Sequence, residues 1–344
     1  MKIVVDKDIP FVKGCFEKYG EVQYLAAGEI VRESLMDADA LIVRSRTLCN
    51  RELLEGTPVK LIATTATLTG HIDKAWCSEN GIFIQSSAGS DDGAIMNYVM
   101  SAVYATAARK GMELKGKTVG VVGVGSAGQA VEDAFRYLGY TVLLYDPERA
   151  AAEGPGRFSS LEDLLASSDI VSLHRPYVPG TPEIADADFF SRMKSGATFI
   201  NCSHGKLVNE ADLMEAIPKL GSVIIDCWQK EPDVNIKLVN MVDIATPHIA
   251  GFSYQSMLNA ASMVVRTVAR FFHLDDLYDY YPEPEVDLLA AVHLDLNGRS
   301  QGEVTAAMQY NYPIFTDDFM FRTNPGAFTA IRAAYRYRRE FMLR

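Results

Sequence analysis

The sequence predicts an α/β protein: two doubly wound parallel-sheet domains followed by a small C-terminal α/β domain. Three observations predict it. Short apolar runs of strand length alternate with helical segments through most of the chain. One run leads into a glycine-rich turn that opens a helix. The alternation stops near residue 254, and the rest of the chain has a different pattern.

Residues 1–96 carry four apolar runs, at 3–5, 40–43, 60–63 and 81–84, with helical segments at 51–54 and 72–79 between them. Continuous apolar strands spaced by helices imply a parallel sheet covered on both faces. Residues 93–110 contain no proline and no internal glycine, and read as one long buried helix. A second alternation comes next, with strands expected at 118–122, 141–145, 170–173, 198–201, 223–226 and 243–245. Residues 254–273 read as a helix that carries the chain back to the first domain. The stretch 280–285, YYPEPE, reads as a linker. The expected division is therefore 1–96 with 253–279, then 97–252, then 280–344.

Composition narrows the function. The chain has 344 residues, room for two or three domains. A formal net charge of -11 argues against a broad nucleic-acid surface, which needs concentrated Lys and Arg. No apolar run reaches membrane-spanning length. The start, MKIVVDKDIPF, reads as a first strand and not as a signal peptide. Cys15, Cys49, Cys77, Cys202 and Cys227 show no paired or metal-site spacing, so reduced thiols in a cytoplasmic protein are expected, with no metal site.

The strongest motif is Gly123-Val124-Gly125-Ser126-Ala127-Gly128. It follows an apolar strand and opens a helix, as a dinucleotide-binding Rossmann turn requires. Gly123 permits the tight turn, Gly125 lets the backbone approach a pyrophosphate, and Gly128 lets helix and strand pack closely. The next strand ends at Asp146, the usual place for an acid that binds the adenosine ribose. A carboxylate there repels a 2′-phosphate, so NAD is expected, with Arg149 as the one hint of NADP.

Oxidising a hydroxy acid with NAD requires a base for the hydroxyl proton, a partner that tunes it, and a cation for the carboxylate. Asp226-Cys227-Trp228-Gln229-Lys230-Glu231-Pro232 and Thr246-Pro247-His248-Ile249-Ala250-Gly251 resemble the signatures of the D-isomer-specific 2-hydroxyacid dehydrogenases. The resemblance implies that Glu231 and His248 form the acid–base pair. It implies that Arg175, Asp226 and Gly251 contact the cofactor, and that Ser45, Thr67 and Phe252 contact substrate. It spans nearly the whole chain. Val43-Arg44-Ser45-Arg46-Thr47 resembles the N-terminal domain of one branch, which acts on a phosphorylated hydroxy acid. Asp317-Asp318, Phe321-Arg322, Asn324-Pro325-Gly326 and Arg338-Arg339-Glu340 resemble the dimerisation domain of that branch, which implies a homodimer. The basic run 332–339 is expected as a helix with a solvated or interface face.

Departures from the family pattern cluster at the expected site. His204 stands where the family has an arginine that holds the substrate carboxylate. Arginine offers a fixed fork and permanent charge, whereas an ordinary histidine is mostly neutral at pH 7. Ala66 and Leu68 replace a Thr and a Gly of a substrate loop, Arg175 replaces a small residue, and Phe252 replaces a Tyr. Arg175 is a candidate for the cation missing at His204. Three readings are open: oxidation of a phosphorylated D-2-hydroxy acid, oxidation of another 2-hydroxy acid, or an NAD-binding dimer with little catalysis that acts as sensor or scaffold. The active site is expected in the cleft between the first two domains.

Overall fold

The computed structural model describes residues 1–177, 180–283 and 290–344; Pro284 and Glu285 of the expected linker lie outside the described residues. The chain divides into two compact units, Met1–Asp91 with Tyr254–Leu289, and Asp92–Ser253 with Ala290–Arg344.

The first unit holds five parallel strands: β1 (Lys2–Asp6), β2 (Glu21–Leu25), β3 (Ala40–Val43), β4 (Leu61–Thr64) and β5 (Phe83–Ser86). Their order, β2-β1-β3-β4-β5, is the flavodoxin-like one. Alternate residues serve opposite faces. Ile3, Val5, Ile42 and Ala63 pack with Ala261, Val264, Val265 and Val268, one stripe of the helix Tyr254–Phe272. Val4, Leu41, Val43 and Ile62 pack with Leu53, Leu54 and Cys77 on the other face. Strand β2 is not evident from sequence, because the edge segment EVQYL mixes polar and apolar residues and none of them is buried.

The second unit holds β6 (Thr118–Val122), β7 (Thr141–Tyr145), β8 (Ile170–Leu173), β9 (Thr198–Asn201), β10 (Ser222–Ile225) and β11 (Ile244–Ala245). All pair in parallel, in the order β11-β10-β9-β8-β6-β7. The chain leaves β6 toward β7, then reverses to β8 on the other side. That reversal opens a crevice beyond the carboxyl ends of β6 and β8, where nucleotides bind in open α/β sheets. The helix Asp92–Lys110 buries Tyr98, Val99 and Val103 against Val119, Val121 and Leu144 on one face. Leu164, Phe189, Phe190 and Trp228 fill the other face.

Sequence alone separates the tail as a domain of its own. In the structure residues 290–344 share both cores of the second unit. Met308, Tyr312, Ile314 and Phe341 join the core around Tyr98. Phe321 and Phe328 join the one around Trp228. The tail pairs β12 (Val292–Leu294) with β13 (Phe341–Leu343), a two-stranded sheet too small to enclose a core. The expected helix over 332–339 is not formed: the helix Phe328–Ala333 ends there, and 335–337 run without regular structure.

Two glycines fix how the first helix meets its sheet. Gly123 has φ +91°, and a Cβ there would lie 2.5 Å from the backbone nitrogen of Arg175. A Cβ on Gly128 would lie 2.1 Å from the carbonyl oxygen of Gly123. Backbone cannot yield as a side chain can, so Gly128→Ala should destabilise the protein by about 1–3 kcal/mol. Urea unfolding measures the loss, and weakened NAD binding should accompany it.

Candidate active site

The crevice collects residues from the ends of successive strands. After β6, the Gly123–Gly128 turn opens the helix Ser126–Tyr137, so Ser126 and Ala127 lie in its first turn. Nothing lies within 4 Å of where a Gly125 Cβ would be, which leaves the backbone there open to a pyrophosphate. After β7, Asp146 accepts the Val124 N–H at 2.8 Å on one carboxylate oxygen and the Arg149 N–H at 3.0 Å on the other. The acid thus braces the glycine turn. Arg149 is committed to Glu153 at 2.6 Å and to the Val124 carbonyl at 2.7 Å, and is not held ready for a 2′-phosphate. These residues fit NAD.

After β8, His174 is buried, with Nε2 2.7 Å from the Ser172 hydroxyl. Burial pushes its pKa down to about 4, so it stays neutral. The backbone of Arg175 lies against Gly123, and its carbonyl accepts the Ser203 hydroxyl. Arg175 therefore joins the cofactor turn to the segment that carries His204.

After β9 comes His204. Its Nδ1 accepts the Lys206 N–H at 3.2 Å, which places the ring proton on Nε2. Tyr177 stacks on the ring, with centroids 4.4 Å apart and planes 15° from parallel. Burial lowers the His204 pKa, and the neighbouring His248 and Lys206 push the same way. His204 is thus a neutral, oriented N–H donor, not a cation. Gly205 must be glycine, because a Cβ there would lie 1.8 Å from the Trp228 carbonyl oxygen.

Strand β10 delivers Asp226, and β11 delivers Thr246 and the loop 247–252. Asp226 is fully buried. One carboxylate oxygen accepts the Thr246 hydroxyl at 2.7 Å and the Ile249 N–H at 2.8 Å; the other accepts the Ala250 N–H at 2.9 Å. Its backbone carbonyl accepts the His248 N–H at 2.8 Å. His248 is held at φ +57°, a left-handed conformation uncommon for a side-chain-bearing residue.

His248 Nδ1 lies 2.8 Å from Glu231 Oε2, and the Trp228 N–H binds Glu231 Oε1 at 2.9 Å. Burial opposes a charged imidazole, but the Glu231 carboxylate outweighs it and the His248 pKa is raised. Burial likewise opposes the charged carboxylate, and His248 outweighs it, so the Glu231 pKa is lowered. The imidazole keeps 37% of its surface, leaving Nε2 for substrate. The Cys227 sulfur completes a group whose ligand atoms lie within 4.8 Å of one another. The Nδ1–Oε2 contact already occupies two of those atoms with each other, which favours an ion pair over a metal centre.

Gly251 and Phe252 close the loop. The Phe252 ring lies 6.0 Å from Tyr335 and 6.0 Å from Tyr337, under the Arg332 guanidinium at 5.2 Å. In the first unit, Ser45 is exposed in the turn after β3, and Thr67 is half-buried after β4. The Arg44 guanidinium forks onto Asp6 at 2.8 and 3.1 Å and is not held ready for a substrate anion. Sequence reasoning missed Tyr177, Arg332 and Arg338. The last two bond the carbonyls of the His248 loop from the tail.

Residues 94–250 match the family model described as "D-isomer specific 2-hydroxyacid dehydrogenase, NAD binding domain". The chain belongs to this family, and is an NAD-dependent D-2-hydroxyacid dehydrogenase. Its relatives narrow the branch. It is 36% identical to the erythronate-4-phosphate dehydrogenase of Bacteroides fragilis, over 99% of this chain and 97% of that one. It is 34% identical to the enzyme of the same name from Yersinia pestis, over 99% and 93%. Among solved structures, NAD-dependent formate dehydrogenase from Staphylococcus aureus in complex with NAD superposes with a TM-score of 0.62 at 26% identity, covering 83% of this chain and 98% of that one.

The ion pair makes a signed prediction. As the base expected from the family signature, His248 must be neutral to take the hydroxyl proton, so kcat/KM should rise with pH through a pKa above the ordinary 6.5. Glu231→Gln should move that limb to lower pH by about 1–3 units, read from the pH profile. His248→Gln should cost on the order of 10²–10⁴ in kcat with NAD affinity unchanged.

Proposed function

We propose that the protein oxidises 4-phospho-D-erythronate at C2 to the 2-oxo acid, as a step in pyridoxal phosphate biosynthesis. The observation that carries this reading is the preserved Glu231–His248 pair in a chain alike over its full length, tail included, to enzymes of that name. His248 Nε2 takes the C2 hydroxyl proton, and Glu231 stabilises the imidazolium that forms. Bound NAD supplies the acceptor for the C2 hydride. Asp226, Arg175 and Gly251 line the nicotinamide end. His204 donates a hydrogen bond from its Nε2–H to the oxygen on C2 and keeps that proton as the oxygen gains carbonyl character. Ser45, Thr67 and Phe252 contact substrate, and Arg46 or Arg175 meets its anionic groups.

Among the described residues no helix is long and apolar enough to cross a membrane. All five cysteines are free and buried, which supports a reducing, cytoplasmic setting. The exposed Tyr310, Phe319 and Met320 of the tail support a homodimer through that region, which sedimentation analysis would detect.

His204 and the exposed Leu68 favour one second reading, a different D-2-hydroxy acid. The test follows reduced-cofactor absorbance with NAD and 4-phospho-D-erythronate, beside a panel of other D-2-hydroxy acids. The proposal expects the phosphorylated acid to give the highest kcat/KM. A better acid from the panel replaces it as substrate. His204→Ala should lower kcat on the order of 10²–10³-fold, the loss expected for one oriented donor.

A further inference from the structure

The tail reaches the site in a way that its likeness to a dimerisation domain does not account for. Arg338 donates from Nη1 to the carbonyls of Phe252 at 2.6 Å and Ile249 at 3.2 Å, and from Nη2 to Ala250 at 2.6 Å. Arg332 Nε donates to the carbonyl of His248 itself at 3.0 Å. The carbonyls of His248, Ile249, Ala250 and Phe252 are therefore all taken by two arginines of the tail, while Asp226 takes the N–H groups of His248, Ile249 and Ala250.

Each arginine is itself held. The Arg338 guanidinium lies 4.0 Å from the Tyr312 ring centroid and donates to the Tyr335 hydroxyl, which donates to Asp317 at 2.9 Å. Arg332 sits between the rings of Phe252 and Phe328, at 5.2 and 5.8 Å. A residue kept at positive φ persists only where its surroundings over-determine it. His248 is such a residue, and these contacts fix its backbone from both sides.

We propose that Arg332 and Arg338 are positioning residues for catalysis: by gripping the carbonyls of 248–252 they hold the His248 imidazole against Glu231, so that the tail completes the active site of its own chain. The inference rests on the acid–base reading of His248. Arg332 has a second effect, through charge. The groups that face His248 within the second unit are Glu231, Asp226, Cys227, His204 and Arg332. Two of these are carboxylates that favour the imidazolium, and Arg332 is the cation that opposes it. The arginine thereby keeps the base neutral at a lower pH than Glu231 alone would allow.

The test is the titration of His248 itself, followed by NMR of histidine-labelled full-length protein and assigned with His248→Gln. It reads the imidazole whether or not the enzyme turns over the tested acid. In Arg332→Met the His248 pKa should rise by roughly half a unit or more. Arg332→Lys keeps the charge and should stay near the wild-type value. Arg332→Gln keeps a donor without charge, and serves if the methionine variant does not fold. With substrate, the uncharged variants should lose about tenfold or more in kcat, and their pH limb should move up, with KM for NAD unchanged. A folded, NAD-binding Arg332→Met or Arg332→Gln whose His248 titrates as in the wild type overturns the proposal. Wild-type protein that oxidises no D-2-hydroxy acid overturns the functional reading instead, while the titration still decides the role of Arg332.

Discussion

A buried carboxylate that must be satisfied organises this site. Asp226 has no access to water, so an unpartnered charge there would cost several kcal/mol. Its partners come from one loop. The Thr246 hydroxyl and the N–H groups of Ile249 and Ala250 converge on the two oxygens, and the Tyr98 hydroxyl lies 2.7 Å from that of Thr246. The loop cannot move without stranding the charge. His248 lies between residues so fixed, and its backbone inherits their rigidity. Satisfying the carboxylate turns the loop's N–H groups inward and its carbonyls outward. Those carbonyls then need donors, and the tail arginines supply them. Anion below and cations above follow from one demand for hydrogen-bond satisfaction.

The strand ends do the rest of the assembly. A parallel sheet places every carboxyl end at the same edge, so the segments after six strands, far apart in sequence, meet there. The glycines let them meet closely. Gly123 admits the backbone of Arg175, and Gly205 admits that of Trp228. The cofactor turn thereby meets the Arg175 backbone, and the His204 segment meets the Glu231 segment, while the Ser203 hydroxyl on the Arg175 carbonyl links the two pairs.

Much of this was legible in the sequence because its causes are local. The strands β6–β9 match their apolar runs to the residue: β6, β8 and β9 are buried almost throughout, which leaves little choice of composition, and the edge strand β7 still buries Val142 and Leu144. The glycine turn and Asp146 were legible because a phosphate-binding turn needs particular residues at fixed spacing. Strand β2 was not legible: a short edge strand of mixed composition with no buried residue is stabilised by its neighbour and not by an apolar run of its own. The tail was misread for a related reason. Arg332 is 84 residues from the carbonyl it binds, and a basic run carries no local sign of which arginines turn inward. Arg336 and Arg338 differ by two positions, yet one is exposed and the other is wrapped in carbonyls. Only tertiary packing separates them.

The exchange of arginine for His204 is best understood through the charges around it. A cation at position 204 would stand beside His248 and Lys206, which oppose positive charge there, as well as Glu231, which favours it. It would also lower the pKa of His248, an effect that Arg332 already provides. A neutral imidazole avoids that repulsion. The Lys206 N–H fixes its tautomer and Tyr177 fixes its plane, so the donor needs little reorganisation to meet a developing charge. What is given up is the permanent charge that would hold a carboxylate in the ground state. In the proposed reaction the Nε2–H of His204 is what remains to polarise an oxygen on the reacting carbon. The proposed function leaves the substrate's anionic groups to other cations, and the backbone of Arg175 is tied to both the cofactor turn and the His204 segment.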